Sequence, residues 1–126
     1  MFNRKIPIKI NILGIEYKIK LTKDFPLKTK DEEENEDWLG RCMQMEHTIY
    51  LRQSTDIDNE RLWRALFHEI YHVISYETYI GFIRDNNEDE EIMAQTIGNA
   101  YFGVYKQLTE DNNVWSRFIQ LHKNKL

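Results

Sequence analysis

Apolar and polar residues alternate at the start of the chain. Ile6, Ile8, Ile10 and Ile12 are separated by Pro7, Lys9 and Asn11, the period of a half-buried strand. The phase then flips: Ile15, Tyr17, Ile19 and Leu21 alternate with Glu16, Lys18 and Lys20. A flip across Leu13 and Gly14 predicts a hairpin turn or a bulge, because Gly accepts backbone angles that other residues resist. Pro7 lacks an N–H and puts the start of the first strand at a sheet edge. Alternation returns between Trp38 and Leu51, where Met43, Met45, Ile49 and Leu51 share one parity. Glu46 and His47 are the expected turn of this second hairpin.

After residue 54 the period changes to that of a helix. Ser54, Thr55, Asp56, Asp58 and Asn59 offer several N-caps, and Asp56, Asp58 and Glu60 complement a helix dipole. A helix is expected from about Asp58 to Tyr76, with Leu62, Leu66, Ile70 and Val73 in one apolar stripe and Ala65, His68 and His72 on a different face. Such a helix belongs between a core and a cleft. Gly81 and the Asp85-Asn86-Asn87 run break the pattern. A second long helix is expected from near Glu88 to about Leu108, with Met93, Ile97, Ala100, Val104 and Leu108 as its apolar stripe and an acidic first turn. A last amphipathic segment, Val114 to about His122, presents Trp115, Phe118 and Ile119. The expectation is a single α+β domain over 1–126. Its small antiparallel sheet of two hairpins packs against the central helix, a second long helix and a short C-terminal helix.

Composition narrows the class. A chain of 126 residues suits one domain with a real core. The net charge of -4 argues against phosphate-backbone binding as the main task. Cys42 is the single cysteine, so no internal disulfide is available, and it is expected as a half-buried strand residue. No apolar run approaches the roughly 18 residues of a spanning helix, and the first nine residues lack the apolar segment of a secretion signal. The expectation is therefore a soluble, cytoplasmic protein without a membrane partner. The acidic run 31–37 reads as a solvated loop. It lacks the Gly and spacing of a calcium loop.

The chemistry sits at His68-Glu69-Ile70-Tyr71-His72. Two His four residues apart lie on one helical face, about 40° from each other, so both imidazoles reach one zinc ion. The Glu between them can take a proton from a bound water. A catalytic zinc needs a third protein ligand. His47 falls in a turn and His122 near the C-terminus, so acidic residues at the head of the second helix are better candidates. Glu90 shares that helix's apolar stripe. Glu91 shares a face with Ala94, Gln95 and Gly98, small enough in part to let the two helices approach. Spacing alone leaves both open.

Residues 66–74, LFHEIYHVI, resemble the "LLHEIxHAI" block of small metallopeptidase-like proteins of the ImmA/IrrE kind, especially short forms in phages and mobile elements. The resemblance extends upstream through ILGIEYKI at 12–19 and GRCMQMEHTIYL at 40–51, and downstream through EEIMAQTIGNAY at 90–101. It covers most of the chain to about Asn113, although HExxH is its one sharp motif, and the helix-turn-helix region of fused relatives is missing. In that register Glu91 takes the place of the downstream acidic ligand. Ala94 and Gln95 depart from the larger apolar or acidic residues expected there. The resemblance implies a gluzincin-like zinc metallo-endopeptidase with His68, His72 and Glu91 as metal ligands and Glu69 as general base. The implied substrate is a protein or peptide, in this family often a transcriptional repressor. Tyr71, Tyr76, Tyr101 and Tyr105 are candidate oxyanion donors, none of them singled out. The strand ending near Leu51 is a candidate edge for an extended peptide. The alternative is a non-catalytic zinc-containing protein that inhibits a repressor or host defence factor. A DNA-linked zincin of the SprT kind would need a basic groove, which the acidic balance disfavours.

Overall fold

A computed structural model describes residues 2, 4–27, 32, 38–78 and 87–109. The alternating N-terminal segment forms β1 (Lys9–Ile12) and β2 (Ile15–Thr22). Their register, Ile12 opposite Ile15 and Lys9 opposite Lys18, is set by a two-residue turn. Leu13 and Gly14 have φ of 54° and 85°, the left-handed pair that matches strand twist in a tight hairpin. The Asn11 side chain accepts from the Gly14 N–H at 2.9 Å and holds the turn. The phase flip in the sequence is this turn, and it leaves Ile12, Tyr17 and Ile19 on the buried face. Ile8 precedes the strand and is exposed.

The second hairpin is β3 (Gly40–Met43) and β4 (Thr48–Arg52). A 3-10 turn at Gln44–Glu46 joins them, closed by His47 in the left-handed region. Both hairpins appear, but the parity of the second differs from the expected one. Cys42, not Met43, pairs with the buried Ile49, and Met45 is exposed in the turn, where the three-residue 3-10 turn shifts the phase. The sheet is also mixed, not purely antiparallel. Its order is β1-β2-β4-β3, and β2 runs parallel to β4 with Ile19 opposite Ile49 and Leu21 opposite Leu51. Local turn chemistry dictates pairing within each hairpin. How two hairpins join depends on the connection between them, which has no periodicity to read. Arg52 ties that connection down. Its Nε donates to the Trp38 carbonyl at 3.0 Å and its Nη1 to the Lys23 carbonyl at 2.6 Å, while its guanidinium lies 4.2 Å from the Phe25 ring centre. A consequence is that β4 is interior, flanked by β2 and β3. The free edge on this side of the sheet, among the described residues, is β3.

The central helix, α1, spans Asn59–Glu77. Asp58 is its N-cap, accepting from the Arg61 N–H at 2.8 Å, a contact worth about 1 kcal/mol. Trp63, Leu66 and Val73 face the sheet core with Tyr17, Ile49 and Leu51. The second long helix, α2, spans Asn87–Thr109 and packs mainly along α1, so α1 lies between the sheet and α2. Phe2, Trp63, Phe67, Phe102 and Tyr105 form an aromatic cluster at one end of this layer. The buried stripe of α2 is not the expected one. Ala94 and Phe102 are fully buried and Gly98 is also buried, whereas Ala100, Val104 and Leu108 are exposed. The helix carries apolar residues around much of its circumference, and the side with small residues wins because it allows the closest backbone approach. A Cβ on Gly98 would lie 3.0 Å from both N and Cα of His68. The expected C-terminal helix at 114–122, His122, and all of the acidic run except Glu32 lie outside the described residues. Among the described residues, no helix is long and apolar enough to cross a membrane.

Candidate metal centre

Three helical turns of α1 build the site. Ala65, His68 and His72 line a cleft of about 630 Å³, a volume typical of ligand sites. The cleft is bounded by β3 on one side and by α2 on the other, through Gly40, Glu91 and Gln95. One ligand atom each from His68, Glu69 and His72 lies within 4.8 Å of the others, a grouping that could hold a metal ion.

The contacts from α2 give this grouping its chemistry. The two His Nε2 atoms are 3.2 Å apart. One oxygen of Glu91 lies 2.9 Å from Nε2 of His72 and the other 3.3 Å from Nε2 of His68. The opposite ring nitrogens are engaged separately: Nδ1 of His72 lies 3.2 Å from Oε1 of Glu90, and Nδ1 of His68 lies 3.1 Å from Oε1 of Gln95. A carboxylate only accepts, and both ring nitrogens of His72 face one, Nδ1 toward Glu90 and Nε2 toward Glu91. A neutral imidazole donates from only one of them; with the hydrogen on Nδ1, the Nε2 lone pair would face the cleft. Donation from Nδ1 of His68 to the Gln95 oxygen would free its Nε2 in the same way. The two Nε2 atoms and the Glu91 carboxylate converge at about 3 Å, an arrangement that a cation would stabilise. The donor set fits a metal ion, with His72 backed by a carboxylate and His68 by an amide.

Glu90 is held in turn by Ser75, whose Oγ donates to Oε2 at 3.0 Å. Ser75 is buried on α1, one turn beyond His72. Sequence reasoning missed Ser75 and the supporting role of Gln95. A polar residue at i+3 from a motif His, on an otherwise packed helix, was the available signal. Gln95 stood out as a neighbour of Glu91 on one helical face and as a departure from the resembled pattern, without a role.

Glu69 is buried at 8% exposure, beneath the start of β3. A Cβ on Gly40 would lie 3.0 Å from Glu69 Cγ and 3.4 Å from its Oε2. The missing side chain at Gly40 thus makes room for this carboxylate.

Other sequence candidates lie elsewhere. His47 sits in the β3–β4 turn with its ring 5.1 Å from that of Tyr17. None of the four tyrosines lines the cleft. Tyr76 donates toward Met45 Sδ, Tyr105 packs in the aromatic cluster, Tyr101 is exposed, and Tyr71 stands beside His72 with ring centres 6.3 Å apart. Polar groups that do line it include Gln44, Arg64 and Asn99. Cys42, expected half-buried, is fully buried and also borders the cleft. The candidate peptide edge moves from β4 to β3.

Comparison of the chain with protein-family models, with curated proteins and with solved structures gave no match.

Proposed function

We propose that this chain is a zinc-dependent metallopeptidase, with His68, His72 and Glu91 as metal ligands and Glu69 as general base. The observation that carries the reading is the convergence of both His Nε2 atoms on the Glu91 carboxylate while each Nδ1 is occupied from behind. That is the arrangement of a ligand set, and the intervening Glu69 lies within 4.8 Å of both His. The likeness of residues 66–74 and 90–101 to ImmA/IrrE-type proteins supports the same reading, with a protein regulator in the cytoplasm as substrate.

Zinc, when bound, supplies a Lewis acid and an acidified water nucleophile at neutral pH. Glu69, which lines the cleft between the two His, would take up a water proton and return it to the leaving amine. Glu90 and Gln95 hold the imidazoles in the tautomer that presents Nε2. The β3 edge pairs with the backbone of an extended peptide beside the cleft.

A Glu69→Gln variant tests the proposal. Zinc content, measured by atomic spectroscopy, should stay at one ion per chain, while cleavage of a peptide library falls by at least about 100-fold. A biological effect that survives this change with zinc still bound would identify a non-catalytic binding protein and refute the peptidase.

A further inference from the structure

The cleft is electrostatically divided. The His68, His72, Glu69 and Glu91 end is followed along α1 by Arg64 and then Arg61, both exposed and both lining the cleft. Neither has a carboxylate partner among the described residues. Arg64 is held in place all the same: its guanidinium lies 4.8 Å from the Phe102 ring centre and Nη1 is 3.4 Å from Oδ1 of Asn99. The acidic residues beside Arg61 in the sequence, Asp58 and Glu60, are otherwise engaged. Asp58 accepts from the Arg61 backbone N–H, and Glu60 pairs with Lys106 at 2.6 Å. On the opposite wall Arg41 is buried at 9% exposure, lies 4.5 Å from the Trp38 ring centre, and pairs with Glu32. Its Nε has no hydrogen-bond partner among the described residues. Three arginines thus line a cleft in a chain whose net charge is negative, and two of them, Arg61 and Arg64, follow the His residues along α1.

We propose that the cleft takes a peptide carrying a carboxylate, which Arg61 and Arg64 bind to set the position of the bond presented at the His68 and His72 centre. This rests on the metallopeptidase reading and names the substrate class for the same site. Guanidinium forks match carboxylates geometrically. Along the helix axis Arg64 is about 6 Å and Arg61 roughly 10 Å from His68 at 1.5 Å per residue. An extended peptide advances about 3.4 Å per residue, so the carboxylate lies about two to three residues from the reacting bond. A peptide is favoured over a nucleic acid because β3, beside the cleft, offers a backbone edge, and the Glu69 and Glu91 carboxylates would repel a run of phosphates.

The test uses the full chain as the Glu69→Gln variant, so that binding is read without turnover. Fluorescently labelled, C-terminally amidated hexapeptide pools carry Glu, Gln or Lys at one fixed position. A further neutral pool ends in a free carboxylate, separating a side-chain acid from a chain terminus. The Glu pool or the free-terminus pool should bind about tenfold more tightly than the Gln pool at low salt. Arg61→Ala combined with Arg64→Ala should abolish that preference, and the double Lys variant should restore only part of it. Equal binding of the Glu, Gln and free-terminus pools, a preference that survives the double Ala variant, no binding of any pool, or tighter binding of a single-stranded oligonucleotide would each overturn the proposal. The wild-type chain separates the two readings. Arginine-dependent carboxylate binding without cleavage by zinc-loaded wild type refutes only the peptidase, whereas cleavage blind to acidic residues refutes only the arginine assignment.

Discussion

Glu90 and Glu91 are adjacent and chemically identical, yet they stand in different places. Glu91 faces both Nε2 atoms, while Glu90 reaches behind His72 to Nδ1 and is fixed there by Ser75. Their variants should therefore separate. Glu91→Ala should lose stoichiometric zinc in equilibrium dialysis, whereas Glu90→Ala should keep it with an affinity lowered about 10- to 100-fold. The reverse order would reassign the third ligand. A second residue-scale prediction concerns Tyr17, which is fully buried and donates to Oε1 of Glu77 at 2.8 Å. Burial first, and then the Glu77 carboxylate, push the phenol well above its usual range. Because the folded pKa lies above the unfolded value near 10, the contribution is complete below pH 10 and is lost as pH rises beyond it. Tyr17→Phe should cost about 1.5 kcal/mol at pH 8. Its melting temperature should then fall less steeply than that of wild type between pH 10 and 11.

Among the elements, α2 shows how packing overrules a stripe. Read as a pattern, its apolar face contained Val104 and Leu108, and both are exposed. The face that docks is built on Ala94, Gly98 and Phe102, and the close approach at Gly98 brings Glu91 and Gln95 to the two His. A methyl at Gly98 would press on the His68 backbone, which has no flexible end to move aside. Gly98→Ala should destabilise the protein by about 1–3 kcal/mol in urea denaturation and weaken zinc binding by separating the helices. Gly103, on the same helix, has nothing within 4 Å of its absent Cβ. Gly103→Ala should instead stabilise by roughly 0.5–1 kcal/mol, which makes it the matched control. The hairpins, by contrast, follow their local signals closely, since a two-residue turn at Leu13 and Gly14 admits one register.

At the scale of the molecule, the site is a joint between layers. The sheet supplies Gly40 over Glu69, α1 supplies the two His, and α2 supplies their acidic and amide neighbours. A metal held by both helices would bind the folded chain and not the unfolded one. At free zinc about 100 times its Kd this adds about 2.7 kcal/mol, so stripping the metal with a chelator should lower the melting temperature by roughly 10 °C. A Glu91→Ala chain should show almost none of this shift. An unchanged melting temperature on chelation in the wild type would count against a shared metal site.

The α+β class, both hairpins, the span of α1 to within a residue and the cleft-facing side of α1 were legible in the sequence, because each depends on local periodicity and turn or cap chemistry. His68, Glu69 and His72 were legible for the same reason: their spacing on one helix settles their relative placement. Tertiary structure decided the rest. The parallel pairing of β2 with β4, the edge position of β3 and the face α2 turns to α1 all depend on contacts between segments far apart in the chain. The division of labour between Glu90 and Glu91 does too, since a rotation of α2 by one residue would exchange them. The arginine end of the cleft belongs with these, because only the packed helices show that no described carboxylate pairs with Arg61 and Arg64.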